Sequence, residues 1–135
     1  MRFMLFMIPN IDEADWSPSV EVVEAMARYN ESLAKAGVLI ALDGLHPSAR
    51  GARVSFAGGR PSVTDGPFTE SKELIGGYWL IQAKSMEEAV EWATRCPAND
   101  GAVIEVRQVQ EPSDHPEEIQ AAAGFSPARP EQTST

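Results

Sequence analysis

The sequence predicts an α+β domain, and three observations carry that prediction. Apolar strand-like runs recur at 3–8, 38–42, 76–83 and 102–109. Two stretches with helical spacing, 17–36 and 85–96, separate them. Between the second and third runs, a Gly58-Gly59 pair sits between two short alternating segments and marks a hairpin. The order is strand, helix, strand, hairpin, strand, helix, strand.

Each element has its own justification. Phe3 to Ile8 is apolar without a break. Successive strand side chains point to opposite faces, so this strand expects cover on both sides. Pro9-Asn10 ends it. Ser17-Pro18 opens a helix, with Ser as N-cap and Pro in the first turn. Val22, Val23, Met26, Asn30 and Leu33 share one face of it, and Gly37 supplies its stop. Val38 to Leu42 follows as a strand, and Asp43 to Gly51 as a loop. Arg53 to Phe56 and Pro61 to Thr64 form the hairpin arms. Asp65-Gly66-Pro67-Phe68 is a turn, because each residue type favours one. Residues 69–75 have room for one helical turn before the strand at 76–83. Ser85 and Glu88 form a capping box for the second helix, which Cys96-Pro97 ends. Beyond 110 the composition changes: residues 111–135 hold four prolines and five acidic residues. The chain divides into a domain at 1–110 and an acidic tail at 111–135, with a short helix expected at 116–123.

Without its hairpin this order is the ferredoxin-like βαββαβ pattern. Two helices cover one sheet face there, and the other face needs a partner. A second subunit is the economical cover, and two sheets packed face to face bury about 1,000 Å² or more. A homodimer is therefore expected.

Composition excludes several functions. A chain of 135 residues with 43% hydrophobic residues fits one domain. A net charge of −9 argues against nucleic acid, whose phosphates need clustered Lys and Arg. One cysteine, Cys96, allows neither an internal disulfide nor a Cys-based zinc site. The two histidines, His46 and His115, are far apart, and no metal site or cofactor is expected. Gly58-Gly59 is in a hairpin rather than between strand and helix, so it is no phosphate loop. The N-terminal apolar run is too short for a membrane span or a signal peptide. The expected compartment is the cytoplasm.

The motif Thr64-Asp65-Gly66-Pro67-Phe68, followed by Glu70, Lys72, Glu73 and Gly76-Gly77-Tyr78-Trp79, resembles the DGPF signature of YCII-related proteins. Ala36-Gly37-Val38, Gly44-Leu45-His46-Pro47, Ala89-Val90-Glu91-Trp92-Ala93, Cys96-Pro97 and Gly101 to Arg107 agree in order. The resemblance covers about residues 1 to 110. It implies a ferredoxin-like fold and a dimer of the dimeric α/β-barrel kind. The family's biochemical role is mostly unassigned. Some relatives carry a His and an Asp in a cleft, one branch is similar to dehydrochlorinases, and DGPF members often accompany sigma factors.

Two functions follow as expectations. One is a small-molecule-binding or accessory protein, linked by the resemblance to a sigma factor. The alternative is a cofactor-free acid/base enzyme performing a dehydrochlorinase-like elimination or an isomerisation. Imidazole is the usual proton shuttle, so His46 could move a proton, with Asp65 to orient it. The competing role of Asp65 is to hold its own turn. Phe68, Glu70, Lys72, Tyr78 and Trp79 are the ligand-binding candidates, weighed against a solvated charge cluster and an aromatic core. Trp16 and Trp92 read as packing residues.

Overall fold

A computed structural model describes residues 1–69 and 73–124. Six strands and three helices are present among them: β1 (Arg2–Ile8), α1 (Val20–Lys35), β2 (Leu39–Gly44), β3 (Ala52–Ala57), β4 (Arg60–Asp65), β5 (Gly77–Gln82), α2 (Met86–Thr94), β6 (Val103–Gln108) and α3 (Glu117–Ala122). Four strands form one sheet in the order β2-β5-β1-β6, and every pairing is antiparallel. The fold is α+β, and this strand order is compatible with the ferredoxin-like pattern. β3 and β4 form a separate two-stranded ribbon.

Alternation in the strands decides the core. Phe3 lies opposite Ile81, and Leu5 opposite Trp79. These four side chains meet Tyr29 and Leu33 of α1 and Ala89 of α2. Asn30 stands beside the apolar face of α1, and its Oδ1 accepts the Trp79 indole N–H at 2.8 Å. Tyr29 touches Trp79 edge-on and donates its hydroxyl to the Trp92 carbonyl at 2.9 Å. Residues of the opposite sheet face, Met4, Phe6, Ile8, Tyr78 and Leu80, are half-buried.

The helix ends follow local chemistry, with one correction. The N-cap of α1 is Ser19 rather than Ser17, because Ser19 is extended and its Oγ accepts the Val22 N–H at 3.3 Å. Ser17-Pro18 remains in the preceding loop. At the other end, Gly37 has φ +75°, Gly37 N–H donates to Ala34 O at 3.0 Å, and Val38 N–H donates to Leu33 O at 3.1 Å. This is the Schellman closure. Ser85 caps α2 through the Glu88 N–H, while the Glu88 carboxylate accepts from Lys84 N–H.

The ribbon turns through Gly58 and Gly59, both at positive φ (58° and 75°), as a primed hairpin requires. After β6 the chain is pinned back to β1. Arg2 donates from Nε and Nη2 to the two Glu111 oxygens at 2.8 and 2.9 Å. A 3-10 turn at Pro112–Asp114 and α3 follow. Among the described residues no helix is long and apolar enough to cross a membrane.

Candidate functional site

The Asp65–Phe68 turn is interlocked with the loop that follows β2. Gly66 N–H donates to Gly51 O at 3.0 Å. A Cβ on Gly66 would fall 1.7 Å from the Ser48 carbonyl oxygen, so only glycine lets the two backbones pass. Phe68 N–H donates to Ser48 Oγ at 2.8 Å. The Glu13 carboxylate accepts from both the backbone N–H and the hydroxyl of Ser48. Arg53 of β3 lies over the Phe68 ring, 3.9 Å from its centroid. Three distant segments, around residues 13, 48 and 67, are thereby tied together. Asp12, Glu13, Pro47, Pro67, Phe68 and Leu74 border a cleft of about 540 Å³ there.

On the other side of the Glu13–Asp15 turn lies a second, more apolar cleft of about 730 Å³. Met7, Ile11, Trp16, Val22, Met26 and Leu45 supply its apolar wall. Asp15, Ser17, Ser19 and Asn99 add a few polar groups. Its frame is hydrogen-bonded. Gly76 N–H donates to Met7 O at 2.8 Å, and Leu45 N–H donates to Gly76 O at 2.9 Å. Asn99 Nδ2 donates to Pro9 O at 3.2 Å, and the Trp16 indole N–H to Ile11 O at 3.4 Å. A Cβ on Gly76 would sit 3.2 Å from the Pro9 ring and 3.7 Å from Trp16 Cη2, which shows how closely this wall is packed. The cleft thus opens where the end of β1, the end of β2 and the approach to β5 meet the first turns of α1.

His46 and Asp65 are both exposed, and among the described residues no hydrogen bond joins them. The His46 Nε2 lies 3.3 Å from Arg50 Nη1. Asp65 ends β4 opposite Ala52. Phe68 lines the smaller cleft, at the centre of the interlocked turn. Tyr78 is on the open sheet face and donates to Asp43 Oδ2 at 3.0 Å. That hydrogen bond, followed by the Asp43 charge, raises the phenol pKa. Trp79 is in the core, 5% exposed. Glu70 and Lys72 lie outside the described residues.

Two further groups have displaced titrations. Burial raises the Tyr29 phenol, and the nearby Cys96 adds to the effect while Arg95 opposes it. Burial alone pushes the Cys96 thiol from its ordinary 9.0 up to about 11. The thiolate, which is the reactive form, is therefore scarce at neutral pH. Alkylation of Cys96 by iodoacetamide at pH 7.5 should run about a hundredfold slower than that of a thiol titrating at 9.0, and rise tenfold per pH unit towards about 11. Stopped-time mass spectrometry across pH 7 to 10 checks this.

Glu13, Ser48 and the cleft-lining role of Trp16 were not legible in the sequence. Glu13 and Ser48 are 35 residues apart, and neither belongs to a recognisable motif. The Trp16 signal was its position just before a helix start, among acidic residues rather than apolar ones.

The sequence model of the YCII-related domain matches residues 1–113. An uncharacterized protein of Rhizobium meliloti (strain 1021) is 31% identical over 80 residues, which is 58% of this chain and 64% of that protein. The aligned part thus spans less than two thirds of that relative. With its α+β fold and a match over most of its length, the chain belongs to the family of YCII-related domains.

Proposed function

We propose that this YCII-related domain binds a small, largely apolar molecule in the cleft walled by Trp16, Met7 and Met26. The observation that carries the reading is that cleft's composition. A volume of about 730 Å³ with an apolar lining and a few polar groups matches the usual make-up of a small-molecule site. Asp15 can accept a hydrogen bond from a ligand hydroxyl, and Trp16 offers an aromatic face. A neutral aromatic with one hydroxyl, such as a substituted phenol, fits this chemistry. The wall is held by backbone hydrogen bonds, so little ordering is needed on binding.

Trp16→Ala should weaken the binding of substituted phenols by about tenfold or more, since a lost aromatic contact is worth about 1–2 kcal/mol. Isothermal titration of both proteins with a phenol panel measures it. Equal affinity in the two proteins would sink the assignment.

One observation supports the acid/base alternative. His46 lies between Leu45 of the larger cleft and Pro47 of the smaller. A phenol or enol-like carbon acid bound there could lose a proton to His46, with Asp65 as its expected companion. In that reading His46→Ala abolishes turnover of halogenated phenols, by about a hundredfold or more, and leaves their affinity unchanged. A product assay beside the titration separates the two effects.

A further inference from the structure

Trp16 is held by its own turn. Its backbone N–H donates to the Glu13 carbonyl at 3.2 Å, and its indole N–H donates to the Ile11 carbonyl at 3.4 Å. The turn is also bonded within itself. Asp15 N–H donates to Asp12 O at 2.8 Å, and Asp12 Oδ1 accepts the Ala14 N–H at 3.1 Å. Residues 11–16 therefore move as a unit, and the indole goes where the turn goes. A 3-10 turn of three residues is a weak element by itself, and Asp12, Ala14 and Asp15 are exposed. Its place thus depends on what fastens it to the body of the domain.

Glu13 is that fastening. It borders the smaller cleft, while Asp15 and Trp16 border the larger one. Its carboxylate accepts both donors of Ser48, the backbone N–H and the hydroxyl. Hydrogen bonds to a charged acceptor are the strong ones. Ser48 is fixed in turn. Its Oγ accepts the Phe68 N–H at 2.8 Å, and its carbonyl accepts the Gly51 N–H at 2.9 Å. Gly66 passes so close to that carbonyl that no Cβ fits between them. A line of support runs from Gly66 and Phe68, through Ser48 and Glu13, to Trp16.

We propose that Glu13 is a positioning residue of the larger cleft: the Asp65–Phe68 turn, acting through Ser48 and Glu13, sets where the Trp16 ring stands. The framework of the smaller cleft then governs how well the larger cleft fits its ligand. This role rests on the reading of the larger cleft as a ligand site, but the place of the ring is a property of the free protein and is tested without a ligand.

The chain has three tryptophans, so labelling the full chain with 5-fluorotryptophan gives three ¹⁹F resonances, and Trp16→Phe identifies that of Trp16. Glu13→Ala should shift and broaden the Trp16 resonance and leave those of Trp79 and Trp92 in place. Glu13→Gln, whose amide oxygen still accepts the Ser48 N–H, should shift it less, and it carries the test where Glu13→Ala does not fold. Ser48→Ala keeps the N–H, loses the hydroxyl and should shift Trp16 in the same direction. Glu111→Ala breaks the Arg2 contacts at the opposite end of β1. It is the control for lost stability and should leave Trp16 unmoved. Titration with substituted phenols gives the second readout. Glu13→Ala should weaken binding by no more than the roughly tenfold expected of Trp16→Ala, and should weaken it no further when added to Trp16→Ala, because a residue that acts through Trp16 is silent without it. A Trp16 resonance indifferent to the Glu13 variants, an equal shift from Glu111→Ala, or additive losses of affinity in the double variant would each overturn the proposal. If the natural protein binds no phenol, the ligand reading falls, and the fluorine spectra still decide whether Glu13 positions Trp16.

Discussion

Gly66→Ala should cost about 3 kcal/mol of stability, the upper part of the range for overpacking. The added methyl has no free direction to move. It would meet the Ser48 carbonyl oxygen at 1.7 Å and its carbon at 2.6 Å, and both are backbone atoms. Either the Asp65–Phe68 turn or the loop around Ser48 must withdraw. Withdrawal breaks the hydrogen bonds of Gly66 to Gly51 and of Phe68 to Ser48. It also frees the Glu13 carboxylate from its Ser48 partners. Urea denaturation measures the loss. The same substitution in the ribbon's turn, Gly59→Ala, meets nothing within 4 Å and suffers only from its φ of +75°, which costs about 1 kcal/mol. A similar, small loss at both positions would show that the turn is not braced against Ser48.

Trp79→Ala should be the larger of the core effects, at about 4 kcal/mol. Trp79 is in the middle of the sheet, between Leu5 and Leu42 on the neighbouring strands. Its removal leaves a cavity facing Tyr29 and strands the Asn30 side chain against an apolar surface. The second contribution can be separated. Trp79→Phe keeps most of the packing and loses the indole N–H, so it should cost about 1–3 kcal/mol through the unsatisfied Asn30 carbonyl. Adding Asn30→Leu to Trp79→Phe should recover part of that loss. If the double variant is no more stable than Trp79→Phe alone, the Asn30–Trp79 hydrogen bond is not the source.

The framework was largely legible because its signals are local. Unbroken apolarity from Phe3 to Ile8 marked a strand, and the glycine pair at 58–59 marked a hairpin with its turn type. Ser85 and Glu88 marked a helix start, and Gly37 a helix end. The α1 start was misplaced by two residues because Ser17 and Ser19 offer the same cap chemistry, and only the backbone geometry distinguishes them. Asn30 on an otherwise apolar helix face was a visible anomaly. Its explanation lies 49 residues away, at Trp79. The site was less legible for the same reason. Glu13 and Ser48 are each ordinary in sequence and acquire a role only when the fold brings them to Phe68, which the motif does mark. The Asp-Gly-Pro-Phe motif drew attention to Asp65 as a chemical group. In the structure, Gly66 and the Phe68 backbone N–H make the motif's contacts to the Ser48 loop.

The cleft beside Trp16 is the central claim, and the methionines read it directly. The chain has five methionines. Met7 and Met26 line that cleft, Met86 lies in a groove between α2 and β6, Met4 is on the open sheet face, and Met1 is at the chain start. A ¹³C-methyl-methionine spectrum titrated with substituted phenols should move Met7 and Met26 together, saturably, and leave Met1 and Met86 in place. Movement confined to Met4 or Met86, or no saturable movement at millimolar phenol, would contradict the assignment of this cleft as the ligand site.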